Sequence, residues 1–155
     1  MNDRVQLVVF RLEGQRYALP LAVVERIVRA VAVTPLPGAP AVVLGAIDLA
    51  GRILPLLNLR RRFRLPEREI EPANQFVIAH TARRAVALAI DEAETVSTHD
   101  PSDIVRSDRI APDLEPFPGV VRLDDGLALI HDLEKFLSLD EGRALDAAMT
   151  RRDEC

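Results

Sequence analysis

Aromatic residues are scarce in this 155-residue chain: there is no tryptophan, one tyrosine and five phenylalanines, 4% in all. Small barrels that hold single-stranded nucleic acid do so by stacking bases on aromatic platforms, and this chain has little to build one from. The only cysteine is Cys155, the last residue, which excludes an internal disulfide and a cysteine-based zinc site. Long apolar runs are also missing. Val42 to Ile47 stops at Asp48 and Ile53 to Leu57 contains Pro55, so neither approaches the roughly 20 residues of a membrane span. The start, Met1-Asn2-Asp3-Arg4, lacks the basic, apolar and small-residue order of a signal peptide, and the expected compartment is the cytosol, without direct insertion into a membrane.

Catalytic patterns are missing as well. His80, His99 and His131 lie far apart in sequence with no second ligand at metal spacing. No serine or cysteine sits in a nucleophile elbow and no glycine-rich phosphate loop occurs. Asp124-Asp125-Gly126 reads as a hairpin turn, because the ligand spacing of a calcium loop is absent. The sequence therefore predicts no enzyme activity, no metal and no cofactor. The basic run Arg60-Arg61-Arg62-Phe63-Arg64 admits a nucleic-acid reading, weighed against a solvated helix face with Leu59 and Phe63 turned inward. The acidic second half of the chain, which would repel phosphates, favours the helix face.

The net charge of −4 is unevenly spread. Residues 1–74 carry 11 Arg against 7 Asp/Glu, and residues 75–155 carry 9 Arg/Lys against 17 Asp/Glu, that is +4 and −8. Two readings stand: each half has its own solvated bias, or the halves attract one another between chains, head to tail.

Hydrophobic residues make up 48% of the chain and their pattern is mainly that of strands. Gln6 to Leu12 and Tyr17 to Leu19 form a first hairpin across Glu13-Gly14-Gln15. Leu21, Val24 and Ile27 recur every three residues, which predicts a short helix running into a strand that ends near Val33. Pro35, Pro37 and Pro40 mark a loop. Val42 to Leu49 and Arg52 to Leu57 form a second hairpin across Ala50-Gly51, and Asn58 caps a helix from Leu59 to Phe63. After a linker, Gln75 to His80, Ala85 to Ile90 and Ala93 to Thr98 continue as strands. Gly119 to Leu123 and Leu127 to His131 follow, then an Asp132-capped helix and a final helix of about 139–150.

The chain repeats itself. Shifting by 74 positions brings Gly45 onto Gly119, Ile47 onto Val121, Leu49 onto Leu123, Ile53 onto Leu127, Leu56 onto Ile130, Asn58 onto Asp132 and Leu59 onto Leu133 without a gap. The N-terminal hairpins align at a shift of about 69. The expected fold is mainly β, with two five-stranded barrel subdomains at about 6–65 and 74–137, packed against each other with a groove between them.

The segment Gly45-Ala46-Ile47-Asp48-Leu49-Ala50-Gly51-Arg52-Ile53-Leu54-Pro55-Leu56-Leu57-Asn58-Leu59-Arg60 resembles the signature hairpin of the CheW coupling proteins of bacterial chemotaxis. Phe10 to Tyr17 resembles that family's opening hairpin, Thr34 to Pro40 its proline-rich loop, and Leu129 to Leu137 its closing strand and helix. The resemblance covers about residues 6–137. It implies two SH3-like five-stranded barrels and a non-enzymatic adaptor. Its partners would be a CheA-type histidine kinase and the cytoplasmic tip of methyl-accepting chemoreceptors, at membrane-associated arrays, with self-association into rings. A paralogue serving another system such as surface motility is the alternative.

The partner-binding residues expected are Leu21, Val24, Arg26 and Ile27 with Asp48, Ala50, Gln75 and Phe76. Val24 and Ile27 suit a groove or a buried core equally. Two positions depart from the family: Arg26 stands where members carry a Glu, and Ala50 where they carry an Arg. Either Arg26 and Asp48 form a pair of reversed polarity, or Arg26 is solvated and Asp48 binds a turn amide near Gly51.

Overall fold

A computed structural model describes residues 4–106 and 117–153; Cys155 and much of the proline-containing stretch before Gly119 lie outside the described residues. The strands are β1 (Val5–Leu12), β2 (Gln15–Pro20), β3 (Val24–Arg29), β4 (Val43–Leu49), β5 (Arg52–Leu57), β6 (Gln75–His80), β7 (Ala85–Ile90), β8 (Glu92–His99), β9 (Ile104–Arg106), β10 (Gly119–Leu123) and β11 (Gly126–Ile130). Two helices, α1 (Leu59–Arg62) and α2 (Leu139–Asp153), and 3-10 turns at Leu21–Val23, Pro101–Asp103 and Leu133–Lys135 complete the described elements.

The fold is mainly β, as the alternation predicts, and falls into two sheets. One has the order β8-β1-β2-β11-β10-β9 and the other β3-β6-β7-β5-β4. Neither closes through a continuous ladder. The chain rounds the corner instead, leaving one edge of a sheet as β8 and joining the opposite edge as β9. In the other sheet the same turn is reduced to one bridge, Thr34 to Ala46. That bridge explains Gly45. A Cβ there would collide with the Thr34 carbonyl and lie 2.9 Å from Val33 Cγ1, and φ is +155°.

The boundaries expected at 6–65 and 74–137 do not coincide with the sheets. The β1–β2 hairpin joins the second half, pairing with β8 and, in parallel, with β11. The β6–β7 hairpin joins the first half, pairing with β3 and, in parallel, with β5. The exchange is reciprocal: Ile130 faces Ala18 as Leu56 faces Ala87. Hairpins are local and self-evident in sequence, but which sheet they enter depends on long-range pairing that local pattern does not encode.

The main core therefore draws on the whole chain, from Phe10 and Leu19 through Leu57 and Val77 to Leu133 and Phe136. The last helix seals it with Leu145, Ala148 and Met149, one face at helical spacing. Asn58 and Asp132, equivalent in the repeat, both cap as expected, accepting from the backbone of Arg61 at 3.2 Å and of Glu134 at 3.1 Å.

The helix expected over Leu21–Ile27 is a correction. Only Leu21–Val23 turns, as a 3-10 segment, and β3 begins at Val24 and ends at Arg29. A β-bulge between Val24 and Arg26 inserts Glu25. It breaks the alternation, so Val24 and Ile27 face the main core while Val28 faces the second cluster. The three-residue spacing comes from a bulged strand whose apolar residues are half-buried on both sides, and its β-branched residues suit a strand better than a helix.

Candidate functional site

Strand β3 is an edge strand, and its bulge places the Glu25 carboxylate among bases from two other strands. Arg52 Nη1 donates to Glu25 Oε2 at 2.7 Å, and His80 Nε2 lies 2.9 Å from Oε1. These bonds, Arg52 first and then His80, hold the Glu25 carboxyl below its ordinary range. Arg26 reaches Glu25 only at 3.8 Å and is half-exposed. Arg29, at the end of the same strand, is exposed, so β3 carries a basic border beside half-buried Val24 and Ile27.

The reversed pair of Arg26 and Asp48 is not formed. Asp48 Oδ1 accepts from Gly51 N at 2.8 Å, closing the β4–β5 turn. Ala50 lies in that turn with φ +52°, followed by Gly51 at +90°, so it is not the next residue of a strand face shared with Asp48. The polar link across the five-stranded sheet is instead Glu25 with Arg52, an acid on β3 and a base on β5. Each is shifted by one or two positions from Arg26 and Ala50.

Phe76 is a second correction. It is fully buried between Ile47, Leu54, Leu56 and Ile78 and cannot line a groove. The β6 alternation turns it into the sheet interior beneath Val28, its ladder partner. Gln75 is half-buried, and its Oε1 accepts from Ala93 N at 2.7 Å, tying the five-stranded sheet to the β8 edge of the six-stranded one. Leu21, on the 3-10 turn, is half-buried. Of the expected set, Leu21, Val24, Arg26 and Ile27 share the β3 border, Asp48 and Ala50 occupy the nearby hairpin end, and Phe76 and Gln75 support it from within.

Three arginines of the basic run at Arg60 to Arg64 are neutralised rather than open. Arg60 binds Glu13 and Asp91, Arg61 lies 3.4 Å from Glu67, and Arg62 pairs with Glu141 at 2.5 Å. Leu59 is buried and Phe63 stacks on Tyr17 at 4.8 Å. Composition did not reveal that the scarce aromatics are concentrated. Phe63, Phe117 and Phe136 surround buried His131, which meets Phe63 edge-on at 5.1 Å, and Tyr17 and then Phe10 extend the cluster from Phe63. The guanidinium of Arg62 sits 5.3 Å above Phe136. Rings from both halves thus weld the sheets where the loops meet.

Among the described residues no three His, Cys, Asp or Glu side chains converge on a metal position. No helix among them is long and apolar enough to cross a membrane. Two linked sheets with edge strands, one of them carrying a charged border around half-buried apolar positions, define a mainly β protein of two joined subdomains. The match to known families is direct: the CheW-like domain model covers residues 6–141, and the chain belongs to that family.

Its relatives include the chemotaxis protein CheW of Treponema pallidum, 30% identical over 146 residues that span 90% of this chain and 86% of the relative. The chemotaxis protein CheW of Rhizobium meliloti is 28% identical over 145 residues, covering 92% and 94%. In structure the chain is similar to the scaffolding protein CheW of Thermoanaerobacter tengcongensis. The TM-score is 0.79 at 25% identity, covering 88% of this chain and 94% of that one.

Proposed function

We propose that this chain is a cytoplasmic, non-enzymatic scaffold that couples the cytoplasmic tips of methyl-accepting chemoreceptors to a CheA-type histidine kinase. The observation that carries the reading is membership of the CheW-like domain family over nearly the whole chain, in a fold shared with a solved scaffolding protein. The receptor surface is the β3 border: Leu21, Val24, Arg26 and Ile27, with Asp48 and Ala50 at the hairpin end and Gln75 and Phe76 behind. Exposed sheet edges serve the kinase, whose regulatory domain by the family resemblance is of like fold.

The contrast between a basic first half and an acidic second half supports head-to-tail self-association into rings, weakened by salt. Arg26 and Ala50, at odds with the family pattern, favour a second reading: a paralogue dedicated to another signalling system such as surface motility.

The test is reconstitution of kinase, receptor tips and this chain, reading kinase phosphorylation and receptor recruitment. The chain should be required for receptor control of the kinase. A Val24→Asp variant that keeps its fold should lose receptor recruitment and retain the kinase. If that folded variant recruits receptor as the parent does, the β3 surface is misassigned. If the parent binds neither partner, the scaffold reading fails.

A further inference from the structure

A cavity of about 330 Å³ lies between the end of the β6–β7 hairpin and the start of α2, away from the β3 border. Its walls are apolar, from Leu57, Val86, Leu133, Phe136 and Leu145. Arg83 and Arg84 stand at its mouth. Arg84 Nη2 donates to Asp146 Oδ1 at 2.8 Å, and Arg83 Nη1 lies 3.1 Å from Asp146 Oδ2. The two guanidiniums therefore share one carboxylate.

The other polar groups at the mouth each have a partner. Glu134 Oε1 accepts from Ala82 N at 2.7 Å. Ser138 and Glu141 cap α2 reciprocally, Ser138 Oγ accepting from Glu141 N at 3.1 Å and Glu141 Oε1 from Ser138 N at 2.8 Å. Each guanidinium has five N–H donors, so most of the unspent hydrogen-bonding capacity at this mouth is donor capacity from Arg83 and Arg84. The Arg83 side chain is 58% exposed and open to an incoming group.

Gly142 shows that the seat is built. A helix interior disfavours glycine by about 1 kcal/mol relative to alanine. Here Gly142 is buried, and a Cβ on it would meet Arg83 Nη1 at 3.1 Å. The missing side chain lets the guanidinium lie against α2.

From an apolar cavity of ligand size with spare cationic donors at its rim, we infer that this site binds a small amphiphilic carboxylate, an aliphatic or aryl body with one anionic head. The body fills the space between Val86, Phe136 and Leu145, and the head pairs with Arg83 and Arg84 in the forked geometry that guanidinium favours. Since Leu145 belongs to the face of α2 that seals the core, an occupant also fastens that helix.

The test titrates octanoate into the full chain, with octanol as the neutral counterpart, following amide shifts by NMR. Octanoate should move the amides of Ala82, Arg83, Arg84 and Gly142 and saturate at one site. Arg83→Gln should weaken it about tenfold, the effect of losing a charged hydrogen bond. Gly142→Ala, which favours the helix, should keep or raise thermal stability while weakening octanoate. Equal affinity for octanol and octanoate, or an unchanged affinity in Arg83→Gln, would overturn the proposal. So would a short acidic, leucine-containing peptide moving these amides where octanoate does not, since the site would then serve a protein partner.

Discussion

Glu25 and Glu94 are the bulge residues of corresponding strands, 69 positions apart, and each binds the base that ends or nears the end of the neighbouring strand. Glu25 interrupts the β3–β6 ladder and meets His80; Glu94 interrupts the β8–β1 ladder and pairs with Arg11, again 69 positions before His80. A bulge re-aims a side chain out of the pleat, so the repeat preserves a carboxylate facing across the strand edge in each sheet. The two sites differ in their second base. Glu25 takes Arg52 from β5, whereas Glu94 takes Arg16 from β2 at 3.3 Å.

This geometry assigns the electrostatic coupling at the β3 border. In a double-mutant cycle, Glu25→Gln and Arg52→Gln should be non-additive, in stability or in receptor affinity. Arg26→Gln and Asp48→Asn should be additive within error, because each has a different partner. Coupling between Arg26 and Asp48 would show that the two meet in the bound state.

The acid side of the stability profile should follow the carboxylates bonded to arginine. Bonds from Arg68 and Arg60 hold the Glu13 carboxyl below its ordinary 4.5, Arg52 and His80 hold Glu25 down, and Arg16 does so for Asp125. Carboxylates lowered by folding contribute stability above their unfolded pKa values and lose it as pH falls through the folded ones. Denaturant midpoints should thus be flat above about pH 5 and decline below it. Glu13→Gln should flatten that decline. A midpoint insensitive to pH between 5 and 2 would contradict it.

Gly45 and Gly119 are equivalent in the repeat but not in tolerance. Gly45→Ala forces a Cβ onto the Thr34 carbonyl at positive φ and should cost about 2–3 kcal/mol or more. Gly119→Ala, 3.1 Å from the Val105 carbonyl, should cost less, since only a small shift of β9 is needed. Urea denaturation of both variants gives the comparison, and equal losses would refute the argument.

The exchanged hairpins make the halves interdependent. Opening the backbone between Pro72 and Ala73 should give two fragments that are each unfolded by circular dichroism. Mixed, they should regain the native spectrum, because each sheet then recovers its missing hairpin. A first fragment that folds alone would show that β3, β4 and β5 need no help from β6 and β7.

The hairpins and both caps were legible in sequence because each is local, and the repeat at 74 positions because each copy carries the same local pattern. Alternation, a two-residue turn and a capping side chain act within about ten residues. At the basic run Leu59 and Phe63 turn inward as expected, four residues apart on one side, but Arg60 and Arg62 are ion-paired and largely covered where a solvated face was expected. The bulge at Glu25 was not legible, because one inserted residue shifts the alternation of the strand and imitates helical spacing. Nor was the pairing of Arg52 with Glu25, which depends on how the sheet curls. The burial of Phe76, the gathering of the rings around His131 and the exchange of hairpins are likewise long-range. Only tertiary packing decided them, since the same hairpin satisfies its own hydrogen bonds whichever sheet receives it, and the choice is made by the core it buries.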